Sequence, residues 1–168
     1  MDVVFIFQWL DASALADFTK TWAGLFAAVQ TVHILSMVML CGMMMLGDLR
    51  MMNVILKGVP SEPIIENTKK WIYLALVLII LTGIYEASAI AMKLAYNSFF
   101  FAKMAGLSMG IIFMLSLRNA VYLRAPEEIG ANGERSESVP VWVVKLVAFT
   151  SLLIWFTVAA SGRWIGFS

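Results

Sequence analysis

Long apolar stretches alternate with short polar segments along the chain, and four of these stretches are long enough to cross a membrane. The predicted spans cover about residues 22–46, 71–92, 99–123 and 141–160. The first has no charged residue from Ala23 to Leu46, a run of roughly 36 Å at helical rise. That length exceeds the hydrocarbon core of a bilayer, about 30 Å thick. We therefore predict an all-α protein, a four-transmembrane-helix bundle.

A shorter apolar piece precedes the first span. Val3 to Leu10 is too short to cross a membrane, and it lacks the basic start and the small-residue cleavage site of a secretory signal. We predict a short N-terminal interfacial helix, whose aromatic side chains enter the headgroup boundary. These side chains belong to Phe5, Phe7, Trp9 and Phe18.

Composition supports a membrane protein. Of the 168 residues, 61% are hydrophobic, and the mean hydropathy is +0.86, whereas soluble domains are about half apolar. Residues 1–168 therefore form a single integral membrane domain, without room for a soluble catalytic domain. The net charge of +1 provides no basic face for nucleic acid. The lone Cys41 excludes an internal disulfide.

The distribution of Lys and Arg predicts the orientation. Eight of the 12 basic residues fall on the side of the 1–2 and 3–4 loops, and four fall on the other side. Because basic residues concentrate in cytoplasmic loops, we predict a multi-pass protein of the bacterial inner (cytoplasmic) membrane with both termini periplasmic.

Polar residues inside the first span indicate where chemistry can occur. Gln30, His33, Ser36 and Met37 share one helix face, and a polar face at membrane depth packs against protein, water or a cofactor. One hypothesis is a structural histidine bonded to Gln30, Ser36 or a neighbouring carbonyl. The other is an axial ligand to haem b.

The haem hypothesis assigns roles to five residues. His33 ligates the iron, and Lys103 and Arg163, both at the outer surface in the predicted topology, hold the propionates or a substrate. Met37 and Trp155 form pocket walls. The sixth ligand is left open between Met37, Met104, Met109, Lys103 and none. The chain has no Cys-x-x-Cys-His motif, so the haem is predicted to bind without covalent attachment.

Copper is the alternative cofactor, because thioethers and thiolates select Cu(I). Seven methionines and Cys41 crowd the stretch from residue 37 to residue 52. Consecutive methionines on a helix point about 100° apart, however, so Met43, Met44 and Met45 cannot converge on one ion. Methionine also fills irregular packing gaps.

Two further features predict packing. Asp48 and Arg50 are interpreted as a structural pair at the inner surface. Gly106 and Gly110 have the small-xxx-small spacing that allows a neighbouring helix to approach closely. Together with Gly162, they predict a homo-oligomer.

Several short motifs resemble a small bacterial four-helix inner-membrane family of unknown function. They are His33, Gly47-Asp48-Leu49-Arg50, Thr82-Gly83, Phe101-Ala102-Lys103 and Gly162-Arg163-Trp164. The chain is also distantly similar to membrane-embedded haem-binding protoporphyrinogen oxidases, in which an early-span histidine is paired with a lysine at the start of a later span. His33 and Lys103 match that pair, although the further histidines of those enzymes are missing. A third similarity, to the membrane protein of copper-resistance systems, rests on the four-span layout and the methionines.

We therefore expect a membrane haem b protein that acts in electron transfer or as a haem-dependent oxidoreductase, with a redox partner or a quinone. The alternative expectation is a cofactor-free small membrane subunit or a copper-handling membrane protein.

Overall fold

The computed structural model describes residues 3–125 and 139–167, and these residues are mostly helical, without a β-strand. The predicted long loop at 125–140 lies mostly outside the described residues. In chain order the helices are α1 (Val3–Asp11), α2 (Ala14–Thr21), α3 (Ala23–Met51), α4 (Ser61–Ala89), α5 (Ala91–Leu94), α6 (Ser98–Phe113), a π-helical turn (Met114–Arg118), α7 (Asn119–Tyr122) and α8 (Val141–Trp164). A 3₁₀ turn (Ile165–Phe167) follows.

Four helices in the described residues are long and apolar enough to cross a membrane. They are α3, α4, the continuous third span from Ser98 to Tyr122, and α8 with its final turn. The predicted all-α architecture with four membrane-spanning helices is therefore confirmed.

The first span is longer than predicted, because α3 continues past the charged residues that were expected to end it. A C-terminal hydrogen-bond motif stops it instead: Val54 N–H donates to the Leu49 carbonyl and Asn53 N–H donates to the Arg50 carbonyl, both at 2.9 Å. Asn53 has a φ of 58°, the left-handed conformation that closes a helix in this way.

The second span starts ten residues earlier than predicted, since α4 begins at Ser61 and not at Trp71. The interpretation of Lys57 to Lys70 as a loop was wrong over most of its length. Its prolines do not break the helix, because Pro60 lies at the N-cap and Pro63 in the first turn. A missing backbone N–H costs nothing in a first turn.

The N-terminal segment folds as two short helices. Phe5 and Trp9 on α1 and Phe18 on α2 are exposed, as expected for interfacial side chains. Phe7 is the exception, since it is buried in a cluster with Ala91 and Leu94 of α5. It also makes edge-to-face ring contacts with Phe100 and Phe101 of α6.

The four spans pack in the order α4, α3, α8 and third span. α3 packs mainly on α4 and α8, and α6 packs mainly on α8. Glycines permit the α6–α8 contact: a Cβ on Gly106 would lie 2.9 Å from Val158 Cγ2, and one on Gly110 would lie 3.1 Å from Ile154 Cγ2. The close helix approach predicted for these glycines is therefore present, and it occurs within the chain.

Candidate functional site

His33 lies on the buried face of α3, and both nitrogens of its ring have partners. Nδ1 lies 2.7 Å from Thr82 Oγ1 on α4, and Nε2 lies 3.0 Å from Lys103 Nζ on α6. The hypothesis of a structural histidine named Gln30, Ser36 or a neighbouring carbonyl as its partner, and these differ from the two partners observed. Gln30 is exposed, and Ser36 donates to the Val32 carbonyl of its own helix.

A consistent set of donors runs through the three side chains. Thr82 Oγ1 donates to the Leu78 carbonyl, so it accepts from the imidazole. Nδ1 then carries the proton, and the Nε2 lone pair accepts from the Lys103 amino group. This arrangement fixes the ring orientation and directs its lone pair to the interior.

Glu86 is a fourth polar member of the site. It follows Thr82 by four residues and Gly83 by three, so all three share one face of α4. Its carboxylate interacts electrostatically with Lys103. Oε1 of Glu86 is buried with no hydrogen-bond partner among the described residues.

Two glycines close the space around the pair. A Cβ on Gly83 would lie 3.4 Å from His33 Cε1, and a Cβ on Gly162 would lie 3.4 Å from the end of the Lys103 side chain. His33 lines neither the cavity between α4 and the third span nor the one beside Tyr96 and Phe99. His33 and Lys103 are therefore in direct contact, in a site packed on two sides by helix backbone.

The other predicted site residues lie around this pair at different depths. Arg163 is exposed, and its guanidinium stacks 4.6 Å from the centroid of the Phe167 ring. Trp155 is buried in the central apolar cluster, against which Met37 also packs. The Trp155 carbonyl lies 3.9 Å from Cys41 Sγ. Cys41 is eight residues after His33 on α3, so Trp155 lies about 12 Å along the helix axis from His33. The structure thus brings together His33 and Lys103 but not the remaining three.

The proposed alternative ligands are also dispersed. Met104 and Met109 are exposed on the outer surface of the bundle. Of the three consecutive methionines, Met44 is fully buried, Met43 is partly buried and Met45 is exposed. No group of three or more His, Cys, Asp or Glu side chains able to hold a metal occurs in 3–125 and 139–167.

A second polar cluster lies near the opposite ends of the spans. Asp48 Oδ1 accepts from Arg118 Nε and Nη2 and from Tyr122 Oη, each at 2.8 Å. The predicted pairing of Asp48 with Arg50 is therefore wrong, because residues two apart on a helix do not face each other. Arg50 instead donates through Nε to the Val59 carbonyl, at 2.8 Å.

Sequence reasoning missed Thr82 and Glu86 as site members, and Arg118 with Tyr122 as the partners of Asp48. Glu86 had a usable signal, since a carboxylate near the end of an apolar stretch is costly unless it has a role. Its spacing from Thr82 and Gly83 would have placed all three on one face. The choice of Arg118 over Arg50 depends on tertiary contacts between α3 and the third span.

The chain matches, over residues 6–168, the model of a family described as a family of unknown function (DUF6644), and it belongs to that family. No curated protein matches the chain. No solved structure matches it either.

Proposed function

We propose that this family member is a membrane haem b protein that acts in electron transfer or as a haem-dependent oxidoreductase. The observation that carries the proposal is the setting of His33. Its Nδ1 is anchored on Thr82, while Nε2 lies 3.0 Å from Lys103 Nζ. Metal-ligating histidines hold their second ring nitrogen in this way, which fixes the tautomer and raises the basicity of the ligating nitrogen.

The donor chemistry suits haem, but the packing requires a rearrangement. An imidazole and an amine are both nitrogen donors, and a metal–imidazole bond is about 2 Å long at protein zinc sites. Both nitrogens could hold iron only if they lay farther apart than the present 3.0 Å. Lys103 would then be the group to move, because its four-carbon stem is flexible whereas the His33 ring is bonded at Nδ1.

In this proposal each residue has a distinct task. His33 ligates the iron, Thr82 holds the imidazole, and Lys103 serves as a second ligand or as a cation for a propionate. Arg163 is a propionate or substrate cation at the same end of the bundle, and Met37 and Trp155 bound the apolar wall. Bound haem would supply one-electron chemistry, with its potential tuned by burial and axial ligands.

The proposal includes a cellular setting. The protein lies in the bacterial inner membrane with both termini periplasmic, exchanges electrons with a redox partner or a quinone, and forms a homo-oligomer. Oligomerisation would need surfaces other than Gly106 and Gly110, since these glycines pack on α8 of the same chain.

The test is the visible spectrum of the protein purified in detergent after expression with ample haem. We expect a Soret band that His33→Ala abolishes. Thr82→Val should reduce haem affinity by about 10- to 100-fold, the usual cost of losing a partner behind a metal ligand. Thr157→Val is the matched control, because Thr157 is exposed and bonds only to the carbonyl of Leu153 on its own helix. A colourless wild-type protein, or a Soret band that survives in His33→Ala, would contradict the proposal.

Glu86 favours a second candidate, a cofactor-free membrane subunit that transfers protons. Glu86, Lys103, His33 and Thr82 form a line of ionisable and hydroxyl groups at membrane depth, where such chains serve as proton relays. A colourless protein that takes up protons in liposomes, and loses this uptake in Glu86→Gln, would support this candidate over haem. Unchanged uptake in Glu86→Gln would exclude the relay.

A further inference from the structure

A cavity of about 210 Å³ lies between α4 and the third span, at the end of the bundle that holds Asp48. Along α4 its lining extends from Ser61 to Tyr73, a distance of about 18 Å at helical rise. It therefore runs from the end of the spans into the apolar depth. A ligand with a polar head and an apolar tail matches this shape.

The cavity exists because the helices beside it have other packing partners. α4 packs mainly on α3, and the third span packs mainly on α8. Met114 and Arg118, the first and last residues of the π-helical turn, both line the cavity. Such turns are rare and are frequent at functional sites. The π turn is thus a second feature, besides the cavity, that indicates a functional site at this position.

The cavity offers hydrogen-bond donors at its floor. Arg118 is buried and uses Nε and Nη2 on Asp48. A guanidinium has five N–H donors, so further N–H groups of Arg118 have no partner in the described part of the chain. The side-chain amide of the adjacent Asn119 likewise has none there, and it lines the same cavity. Ile65 and Ile72 supply apolar walls.

Charge decides which head fits. The positive charge of Arg118 is already balanced by Asp48, so an anionic head would add an uncompensated buried charge, which is strongly unfavourable. Glu66 and Lys69 also line the cavity, and their opposite charges give its wall no net attraction for a charged head. A cationic head would be repelled by the positive charge of the Arg118 guanidinium. The remaining choice is a neutral head whose oxygens accept hydrogen bonds.

We propose that this cavity binds an isoprenoid quinone, with a ring carbonyl accepting from Asn119 and Arg118 and the tail leaving between α4 and the third span. A quinone head is neutral, flat and rich in acceptors, and its tail is apolar. The role of the quinone as electron partner of the haem rests on the proposed function. The binding of the quinone is independent of that function, because the cavity shares no residue with the His33 site.

The probe is a benzoquinone carrying a decyl tail, titrated by equilibrium dialysis against the full chain in detergent. We expect saturable binding of one quinone per chain. Asn119→Leu, which removes a donor at similar volume, should weaken it by about five- to tenfold, the value of one net hydrogen bond. Leu123→Trp, at an exposed position that lines the cavity, should weaken it as well. The matched control is Leu117→Trp, which is exposed on the same span but does not line the cavity and should bind as the wild type does.

Three results would overturn the proposal: non-saturable binding, equal binding by all variants, or complete displacement by phosphatidylglycerol, which would identify a general lipid crevice. Haem content is measured in parallel. Quinone binding by a colourless protein would remove the proposed function and retain the quinone site. A haem-bearing protein that fails to bind quinone would remove the quinone site and retain the proposed function.

Discussion

A single histidine can be inert or reactive, and its hydrogen bonds decide which. His33 is buried, and Thr82 accepts from one nitrogen while Lys103 faces the other. A histidine that only satisfies packing could bond to any nearby carbonyl. Here the nitrogen that faces the interior meets an ionisable amine, and Glu86 is close to that amine. Three ionisable groups in the membrane interior are costly, which favours a functional role for the cluster.

The copper hypothesis makes a different prediction at the residue scale. Changing Met43, Met44 and Met45 together to Leu should leave any haem spectrum and any activity unchanged, because Leu and Met are similar in volume. Such swaps usually cost less than about 1.5 kcal/mol each. Metal and haem analysis of the purified variant checks this. Lys103→Ala is the comparison, and it should weaken haem retention or shift the spectrum. Loss of copper from the triple variant and from Cys41→Ser, with Lys103→Ala unaffected, would favour copper.

The sequence was informative about some side chains and uninformative about others. His33 stood out because it is the only histidine and lies in a charge-free span, and Lys103 stood out because it places a cation at the outer surface in the predicted topology. Thr82 was noticed only as part of a short family motif, and the position of Glu86 near the end of an apolar stretch was not used as a signal. Their role depends on which face of α4 meets α3. Helical spacing groups residues on one face, but it does not say which helix that face contacts.

Among the helices, a buried ion pair ties α3 to the third span. Asp48 has no exposed side-chain surface, and Gly47 makes room for the partner, since a Cβ there would lie 3.0 Å from Arg118 Nη2. The pair therefore fixes the register of the two helices.

Removing this pair should destabilise the protein far more than removing a surface pair with a similar N–O distance. Asp48→Ala leaves Arg118 buried without a counter-ion, a loss of about 3–5 kcal/mol. The Asp11–Lys20 pair, at 2.9 Å, is the matched control, because its side chains are 36% and 44% exposed. Asp11→Ala should cost no more than about 1 kcal/mol. Denaturation in mild detergent measures both free energies of unfolding, and equal losses would show that burial does not govern the first pair.

Helix boundaries were the weakest part of the sequence prediction. The apolar pattern located all four spans, but it ended α3 too early and began α4 too late. Charged residues such as Asp48 and Arg50 were taken to mark the membrane surface, although both are buried in the bundle. The actual ends depend on backbone hydrogen bonds at Asn53 and on the position of Pro63 within the first turn of α4. Asn53 and Pro63 indicate these helix ends in the sequence only if helix-capping preferences are applied before the hydropathy pattern.

For the whole molecule, the orientation in the membrane decides which compartment each end of the bundle faces. The basic residues predict that the Asp48 end is cytoplasmic and the His33 end is periplasmic. The two proposed sites would then communicate with opposite compartments. This arrangement suits a protein that moves electrons or protons across the membrane.

Reporter fusions test this orientation. A fusion after residue 168 should be active as a periplasmic reporter, and a fusion within residues 126–138 should be active as a cytoplasmic reporter, because eight of the 12 basic residues lie on that side. In the control fusions the two reporters are exchanged between the two positions, and both should then be inactive. The opposite activities would reverse the compartments of both sites.

The π-helical turn gives the third span one residue more than a regular α-helix needs between the same two ends. Loss of one codon within Met114–Arg118 would let this segment close as an ordinary helix, with Lys103, Gly106 and Gly110 still aligned on α8. Loss of one codon between Lys103 and Gly110 would rotate the downstream residues by about 100° and separate the glycines from their partners. Among natural homologues, single-residue gaps in this span should therefore collect at the turn, and sequences with a gap there should have lost the quinone cavity while keeping the histidine site.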